Sequence, residues 1–388
     1  MGDKTKIEWT DATWNPLRGC SRISDGCRNC YAETVAHRFS GPGMPYEGLT
    51  RIVNGRPTWT GEIRLVPELL GQPLRWTRPR RIFVNSMSDL FHENVPDHLI
   101  DRVFGAMWAC HVCAGGQSKH VFQILTKRAK RMRDYLKQDR RENWARAAVN
   151  IAGKYDPDGL FDDIASSQTP HPRIWLGVSV ENQAAANARI PLLLDTPAVV
   201  RWISAEPLLG AIDVSRWLDP TGVECLDTCP PARFVGNEEI ETVESACGER
   251  RPICPSCGAV ASWTGYDNGI DWIVAGGESG PHARPTHPEW LRSLRDQCKA
   301  AGVCFFFKQW GEWAPRGGKL TGGGTDFSEI DPQCTRWPRV IKLGEHGLDT
   351  RRCENCTLEM GEEIFMQMVG KKAAGRLLDG VQHDEYPE

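Results

Sequence analysis

No run of the 388-residue chain is apolar for long enough to cross a bilayer, so no transmembrane helix is expected. The start, MGDKTKIEWTD, is polar and has no apolar h-region, which argues against a secretory signal peptide. Lys6 stands where an N-myristoylation start carries Ser or Thr. The sequence therefore predicts a soluble, cytoplasmic protein with no membrane partner. A surplus of positive charge is missing too: 47 Lys and Arg face 50 Asp and Glu, a formal charge of −3. No global basic field marks a nucleic-acid binder, although a local groove can be basic in a neutral protein. No internal repeat is visible.

Cysteine and tryptophan, by contrast, are abundant, with 15 of each. In a reducing compartment the thiols are not expected to pair as disulfides, and clustered ones read as metal ligands. Most tryptophans are expected to pack the core and a few to line a large pocket. The length exceeds the roughly 250–300 residues at which a single core stops growing. That leaves two domains, or one large α/β domain with insertions. The proportions of hydrophobic and charged residues, 40% and 25%, are those of an ordinary globular chain.

Short β-branched and aromatic runs alternate with helical patterns. RRIFVNSM (80–87), HVFQILTKR (120–128), RIWLGVSVEN (173–182), AVVRWISAEPL (198–208), DWIVAGGESG (271–280) and VCFFFKQWGEW (303–313) read as strands, with the WNPLRGC segment as the first. VPDHLIDRVFGAMWAC (95–110), AKRMRDYLKQ, ENQAAANARIPLLLD (181–195) and HPEWLRSLRDQCKAAG (287–302) read as helices, the last stopped by Gly302. This alternation predicts βαβ units and a parallel sheet, and six or seven such units predict a complete or partial barrel. Each strand runs out in polar residues, and in a barrel these ends share the face on which sites are built.

Two regions break the rhythm. Residues 40–78 have little periodicity and read as a long excursion after the first helix. Residues 215–270 hold five cysteines and split the fifth unit from the sixth. The tail from about 315 is Gly-rich and polar, then weakly helical at EEIFMQMVGKKAAGRLLDG. The expected organisation is a barrel in two parts, 1–214 and 271–314, an inserted Cys-rich module at 215–270, and a C-terminal extension at 315–388.

WNPLRGCSRISDGCRNCYAE places Cys20, Cys27 and Cys30 in one short stretch. Thiolates bind iron–sulfur clusters, zinc or copper, or act as nucleophiles. A closed zinc site or a fully protein-ligated cluster takes four ligands. Three cysteines could leave one iron of a [4Fe–4S] cluster open to a substrate or cofactor, or could join a fourth ligand such as His37 around zinc. The loop lies between the first strand and a helix, YAETVAHRF, which puts it at the mouth of the expected barrel, and this favours the cluster.

The stretch is similar to the signature of radical S-adenosylmethionine (SAM) enzymes, whose usual spacing is C-x3-C-x2-C. Together with IEWTDATWNP, FVNSMSDLFHENVP, FQILTKRAKRM, WLGVSVENQ, SAEPLLG, DWIVAGGESGPHARP and FFFKQWGEW, the chain resembles the three-Cys-motif, radical-SAM-like proteins of phages and mobile elements. It departs from the signature in its C-x6-C spacing, and in Asn29, which takes the place of the usual aromatic while Tyr31 follows the third cysteine. The resemblance implies a partial parallel (β/α)6-type barrel of the radical SAM kind. It also implies a [4Fe–4S] cluster on Cys20, Cys27 and Cys30, and SAM, whose sulfonium C–S bond is broken by one electron to give a 5′-deoxyadenosyl radical. A flavodoxin- or ferredoxin-type electron donor and a separately encoded methyltransferase-like partner are implied as well.

Candidate contacts to SAM are Tyr31, packing on adenine; Ser86 and Asp89, among the polar residues Asn85 to Asp89 after the second strand; Ser179 and Glu181 for the ribose; and Glu206 in SAEP, a buried-looking carboxylate that requires a partner. The Gly pair of GGES suits either close approach to a ligand or a tight turn. Lys127, Arg128, Arg284, His287 and Lys308 could form a basic rim for an anionic substrate, a nucleotide or nucleic acid, with Trp310 and Trp313 stacking on bases. The bland reading of that rim is a solvated surface.

In ECLDTC…ACGERRPICPSCG, the second half looks like a zinc-ribbon knuckle, with Cys225, Cys229, Cys254 and Cys257 as the expected zinc ligands and Cys247 able to replace one. An auxiliary cluster and free thiols are the alternatives. Cys110 with Cys113, and Cys353 with Cys356, are incomplete pairs, which could join each other or Cys334. Cys298 and Cys304 read as small buried residues. The expected function is a radical SAM enzyme. The rival is a zinc-dependent nucleic-acid-binding protein without radical chemistry, and a third reading is polar methyl transfer from SAM.

Overall fold

The computed structural model describes residues 5–116, 120–153, 156–218, 269–315 and 364–387, with short segments between 223 and 263 and between 340 and 348. Seven strands, β1 (Ala12–Trp14), β2 (Arg81–Val84), β3 (Val121–Thr126), β4 (Ile174–Ser179), β5 (Val200–Ala205), β6 (Trp272–Gly276) and β7 (Cys304–Gln309), form one sheet in that order. The ladders from β1 to β5 and between β6 and β7 are parallel. β4, β5 and β6 are buried along their whole length, so their sequences are near-continuous apolar runs without alternation.

Strand order follows chain order without reversal. Parallel crossovers are right-handed, so each new strand is laid on the same side of the last. This is the winding of a barrel; a doubly wound sheet reverses its order part-way. β1 and β7 are the two edges of the ladder among the described residues. The expected mixed α/β fold with a parallel sheet in barrel order is therefore present, with seven strands.

The helices are α1 (Tyr31–Arg38), α2 (Asp97–Val112), α3 (Ala129–Leu136), α4 (Arg141–Ala152), α5 (Pro157–Ala165), α6 (Gln183–Leu194) and α7 (Pro288–Ala301). α7 begins with Pro288 behind a His287 cap and ends at Gly302, whose φ of 66° is the left-handed stop that glycine allows. α4 and α5 were not expected from the sequence. α4 lies hard against α2, where a Cβ on Gly105 would come within 2.7 Å of the Ala147 Cβ.

The chain divides into two compact units: Met1–Val180 with Pro191–Ser204, and Glu181–Ile190 with Ala205–Glu388. In the first, Trp202 packs edge-on to Trp9 at 5.1 Å, and Gly177 beside it leaves room for the indole. In the second, the Trp272 indole N–H donates to the Glu385 carbonyl at 2.8 Å, and Phe306 bridges Asp384. Among the described residues twelve tryptophans are buried, as expected for packing residues.

The excursion at 40–78 contains a hairpin, Thr50–Val53 with Arg56–Trp59, turned by Asn54 and Gly55, both at positive φ. Asn-Gly with that backbone is the favoured two-residue hairpin turn. The expected helical tail is corrected. Ile364–Met368 is a strand paired on both sides, with Trp313–Pro315 and Val340–Gly344, and among the described residues of the tail only Lys371–Ala374 is helical. Two-sided pairing outweighs the weak helical pattern of IFMQM. No helix among the described residues is long and apolar enough to cross a membrane.

Candidate functional site

Gly19 delivers the chain to the cysteine loop. Its φ is +98°, and a Cβ there would lie 2.0 Å from the Glu62 carbonyl oxygen, so only glycine allows the turn. Cys27 ends a short 3-10 turn, Asp25–Cys27. The Cys30 amide donates to the Cys27 carbonyl at 3.3 Å, and Cys30 stands at the N-cap position of α1 without a side-chain capping bond. The three thiols are within reach of one another's charge.

Cys20 and Cys30 pack with Val35 against a small core of Ala32, Ala36, Tyr46, Leu49, Trp59 and Met87. Burial, then Asp89, pushes the Cys20 thiol up to about 12, and Arg128 opposes the rise. Burial likewise raises Cys30. Glu33 of α1, 2% exposed, ties the lobe together. Its carboxylate accepts from the Arg22 guanidinium at 2.6 Å and from the Trp59 amide at 3.1 Å.

Beside Cys20 lies a buried polar network built from the ends of β2 and β3. Asp89 accepts from the Thr126 hydroxyl at 2.7 Å, the Phe91 amide at 3.0 Å, the Lys127 amide at 3.2 Å and Arg128 Nη1 at 3.1 Å. Arg128, 6% exposed, also donates through Nε to Glu93 at 2.9 Å and through Nη2 to the Ser21 hydroxyl at 2.9 Å. Its Nη1 stands 4.0 Å from the Cys20 sulfur. His92 Nδ1 accepts from the Asn94 amide, so the ring proton sits on Nε2 and is donated to Ser21 Oγ at 2.7 Å. Burial, then Arg128, lowers the His92 pKa and keeps the ring neutral.

The other expected contacts of the first unit are Tyr31 at the start of α1, Ser86 just past β2 and Ser179 at the end of β4. The Tyr31 hydroxyl donates to the Ser86 carbonyl at 2.8 Å, and the Ser86 hydroxyl donates to Asn15 Oδ1 at 3.1 Å. The Lys127 ammonium donates to the Ser179 hydroxyl. His37, considered as a fourth zinc ligand, meets the Thr50 hydroxyl at 3.1 Å.

In the second unit, Glu181 pairs with Arg189 at 2.8 Å. Glu206 has the partner its burial requires, Lys308 at 3.1 Å. A Cβ on Gly276 would lie 2.8 Å from the Glu206 carboxylate. One on Gly277 would meet the Trp310 carbonyl at 1.9 Å. The glycine pair thus serves close packing of a turn.

The basic rim and its stacking aromatics are corrected. Arg128, Arg284 and Lys308 are each ion-paired, with Asp89, Glu278 and Glu206. His287 caps α7 and is shifted toward neutrality by burial. Trp310 and Trp313 are buried, and their indole N–H groups donate to the Leu377 and Ala283 carbonyls. Both are core residues and offer no exposed platform. Cys298 is buried as expected, while Cys304 is half-buried.

Cys229, Cys247, Cys254, Cys257, Cys334, Cys353 and Cys356 lie outside the described residues, and only the backbone of Cys225 is described, in the strand Val223–Cys225. Among the described residues, no three His, Cys, Asp or Glu side chains already stand as a metal cage. Cys20, Cys27 and Cys30 are nevertheless soft donors of the kind a thiolate-bound metal centre takes, with an apolar backing behind Cys20 and Cys30 and one neighbouring cation at Cys20.

Arg22, Glu33, Ser21 and His92 were not singled out in the sequence. Their partners are 11 and 71 residues away, so no local pattern marks them.

A model of the DUF5131 family, described as a protein of unknown function, matches residues 4–387, and the chain belongs to that family. No curated protein and no solved structure matches the chain.

Proposed function

We propose that this member of the DUF5131 family is a radical SAM enzyme in which Cys20, Cys27 and Cys30 hold a [4Fe–4S] cluster and SAM takes the open iron. The observation that carries the reading is the gathering of three thiols in the loop after β1 of a parallel sheet in barrel order, with the Arg128 guanidinium at Cys20. When bound, the cluster supplies the electron that splits a sulfonium C–S bond of SAM, and the radical released takes a hydrogen atom from the substrate.

The chain's own residues position and shield. The core behind Cys20 and Cys30 keeps water from the ligands. Arg128, fixed by Asp89 and Glu93, sets a permanent positive charge beside one of them. Asp89, with both carboxylate oxygens engaged, acts by holding Arg128. Tyr31 and Ser86, joined to each other at the neighbouring strand end, would flank the adenosyl part of SAM.

The test is anaerobic reconstitution with iron, sulfide and dithionite, followed by mass spectrometry of the products of SAM. A brown protein that yields 5′-deoxyadenosine is expected, with the yield abolished in Cys27→Ala while the fold persists. Persistent 5′-deoxyadenosine in that variant overturns the ligand assignment. S-adenosylhomocysteine in its place indicates polar methyl transfer, and a colourless, zinc-loaded protein indicates the rival reading.

A further inference from the structure

The exposed apolar side chains are unevenly spread. Of nine large hydrophobic residues exposed among those described, six, Ile23, Tyr31, Phe39, Met44, Ile52 and Val53, fall within 23–53, on the lobe that carries the cysteine loop. Single exposed hydrophobics are ordinary, but a concentration on one lobe marks a contact surface.

The lobe's charge is biased as well. Residues 18–64 hold seven arginines, no lysine and four acids, a surplus of three positive charges in a chain whose total is −3. Four of the arginines are engaged: Arg22 with Glu33, Arg18 over the Tyr46 ring, Arg64 with the Glu47 carbonyl and Arg56 with Asn29. Arg28, Arg38 and Arg51 are exposed, and their guanidinium groups make no ion pair or hydrogen bond among the described residues.

The two sets meet at the cysteines. Ile23 and Arg28 belong to the cysteine loop itself. The bonds from Arg56 to Asn29 and from Arg22 to the Pro57 carbonyl hold the hairpin against that loop. The outer strand of the hairpin, Thr50–Val53, carries Arg51, Ile52 and Val53, all exposed.

We infer that this face docks an acidic, low-potential electron-transfer protein of the flavodoxin kind, an inference that rests on reading the three cysteines as cluster ligands. Unpaired arginines interleaved with aliphatic contacts complement an acidic protein surface. A nucleic-acid strand would meet the same arginines but has little use for Ile23, Ile52 and Val53.

The probe is a recombinant flavodoxin of acidic surface, in its hydroquinone form, mixed anaerobically with the reconstituted full chain in stopped flow. In Arg28→Glu/Arg51→Glu the second-order rate of electron transfer is expected to fall about tenfold at low ionic strength. The gap should close as salt rises, and dithionite should reduce the variant as it reduces the wild type. Arg28 lies between two proposed ligands, so Arg51→Glu/Ile52→Asp, on the hairpin alone and matched for iron content, is the second variant; a drop of about threefold is expected.

Flavodoxin rates unchanged in both variants overturn the docking surface alone, provided dithionite still reduces the cluster. Loss of single-stranded DNA binding in the same variants, with the flavodoxin rate unmoved, overturns it in favour of a nucleic-acid partner. A chain that takes up no iron, or whose iron dithionite does not reduce, sinks the cluster reading and this inference together.

Discussion

Arg128→Met isolates the buried network beside Cys20, because it keeps the aliphatic stem and removes the charge. The side chains of Arg128 and Asp89 are only 4% and 9% exposed, and their ion pair is 3.1 Å long. Removing one partner of a buried pair costs about 3–5 kcal/mol, because the other charge is left uncompensated. The second pair, to Glu93, counts for little: that carboxylate is 59% exposed and water takes over. In a unit of this size each kcal/mol moves the melting point by about 2–4 °C. The metal-free variant should therefore melt roughly 10 °C below the wild type by calorimetry or far-ultraviolet circular dichroism. Arg128→Met with Asp89→Asn removes both charges, and the double variant should recover part of the loss. A single variant within about 3 °C of the wild type, or a double variant whose loss equals the sum of the singles, refutes the claim that Asp89 and Arg128 are coupled.

Burial, then the neighbouring His111, lowers His171 to about 3. Its neutral form therefore supports the fold fully above pH 6.5, and that support is lost as pH falls toward 3, because the unfolded chain binds the proton first. In urea melts at pH 7 and 4.5, His171→Gln should lose less stability on acidification than the wild type, by about 2 kcal/mol, and equal losses contradict this. Gly277→Ala places a Cβ 1.9 Å from the Trp310 carbonyl, and it should abolish soluble expression or lower the melting point far more than Gly55→Ala, which has open space and only left-handed strain; similar melting points for the two argue against the tight turn. For Glu206 and Lys308, a double-mutant cycle on Glu206→Gln and Lys308→Met should show a coupling of about 1 kcal/mol or more, and strict additivity would refute the pairing of the two charges.

Much of the fold was legible because the signal was local. Each buried parallel strand is a short apolar run that needs no partner to be recognised, and α7 carried its own start and stop in Pro288 and Gly302. The hairpin of Thr50–Val53 with Arg56–Trp59 was not read in the sequence, because its strands are short, the first is mostly exposed and their flanks are aperiodic. α4 and α5 were hidden because their burial depends on α2, a tertiary fact. The cysteines announced themselves by spacing. The state of the charged residues around them did not: Lys308 and Arg284 look like free cations in sequence, and their neutralising carboxylates lie 102 and 6 residues away. The second of these was within view, but an acid six residues before a basic residue has no helical or strand pairing that would mark it.

The same geometry bears on the chemistries open to Cys20 and Cys30. A cysteine that acts as a nucleophile sits where neighbours lower its pKa and expose its thiolate. Cys20 and Cys30 are pushed the other way, by burial first, and Arg128 offsets only part of the rise at Cys20 because Asp89 and Glu93 share its charge. A protein site that raises thiol pKa values, yet holds several thiols within reach of one another, favours their ionised forms only when further positive charge arrives between them. A metal centre brings that charge and releases the protons as it binds. The raised Cys20 and Cys30 thiols thus argue against covalent catalysis by those two residues. They make the release of one proton each by Cys20 and Cys30 on metal uptake, undiminished across the neutral range, the property that sets bound ligands apart from buried and inert cysteines.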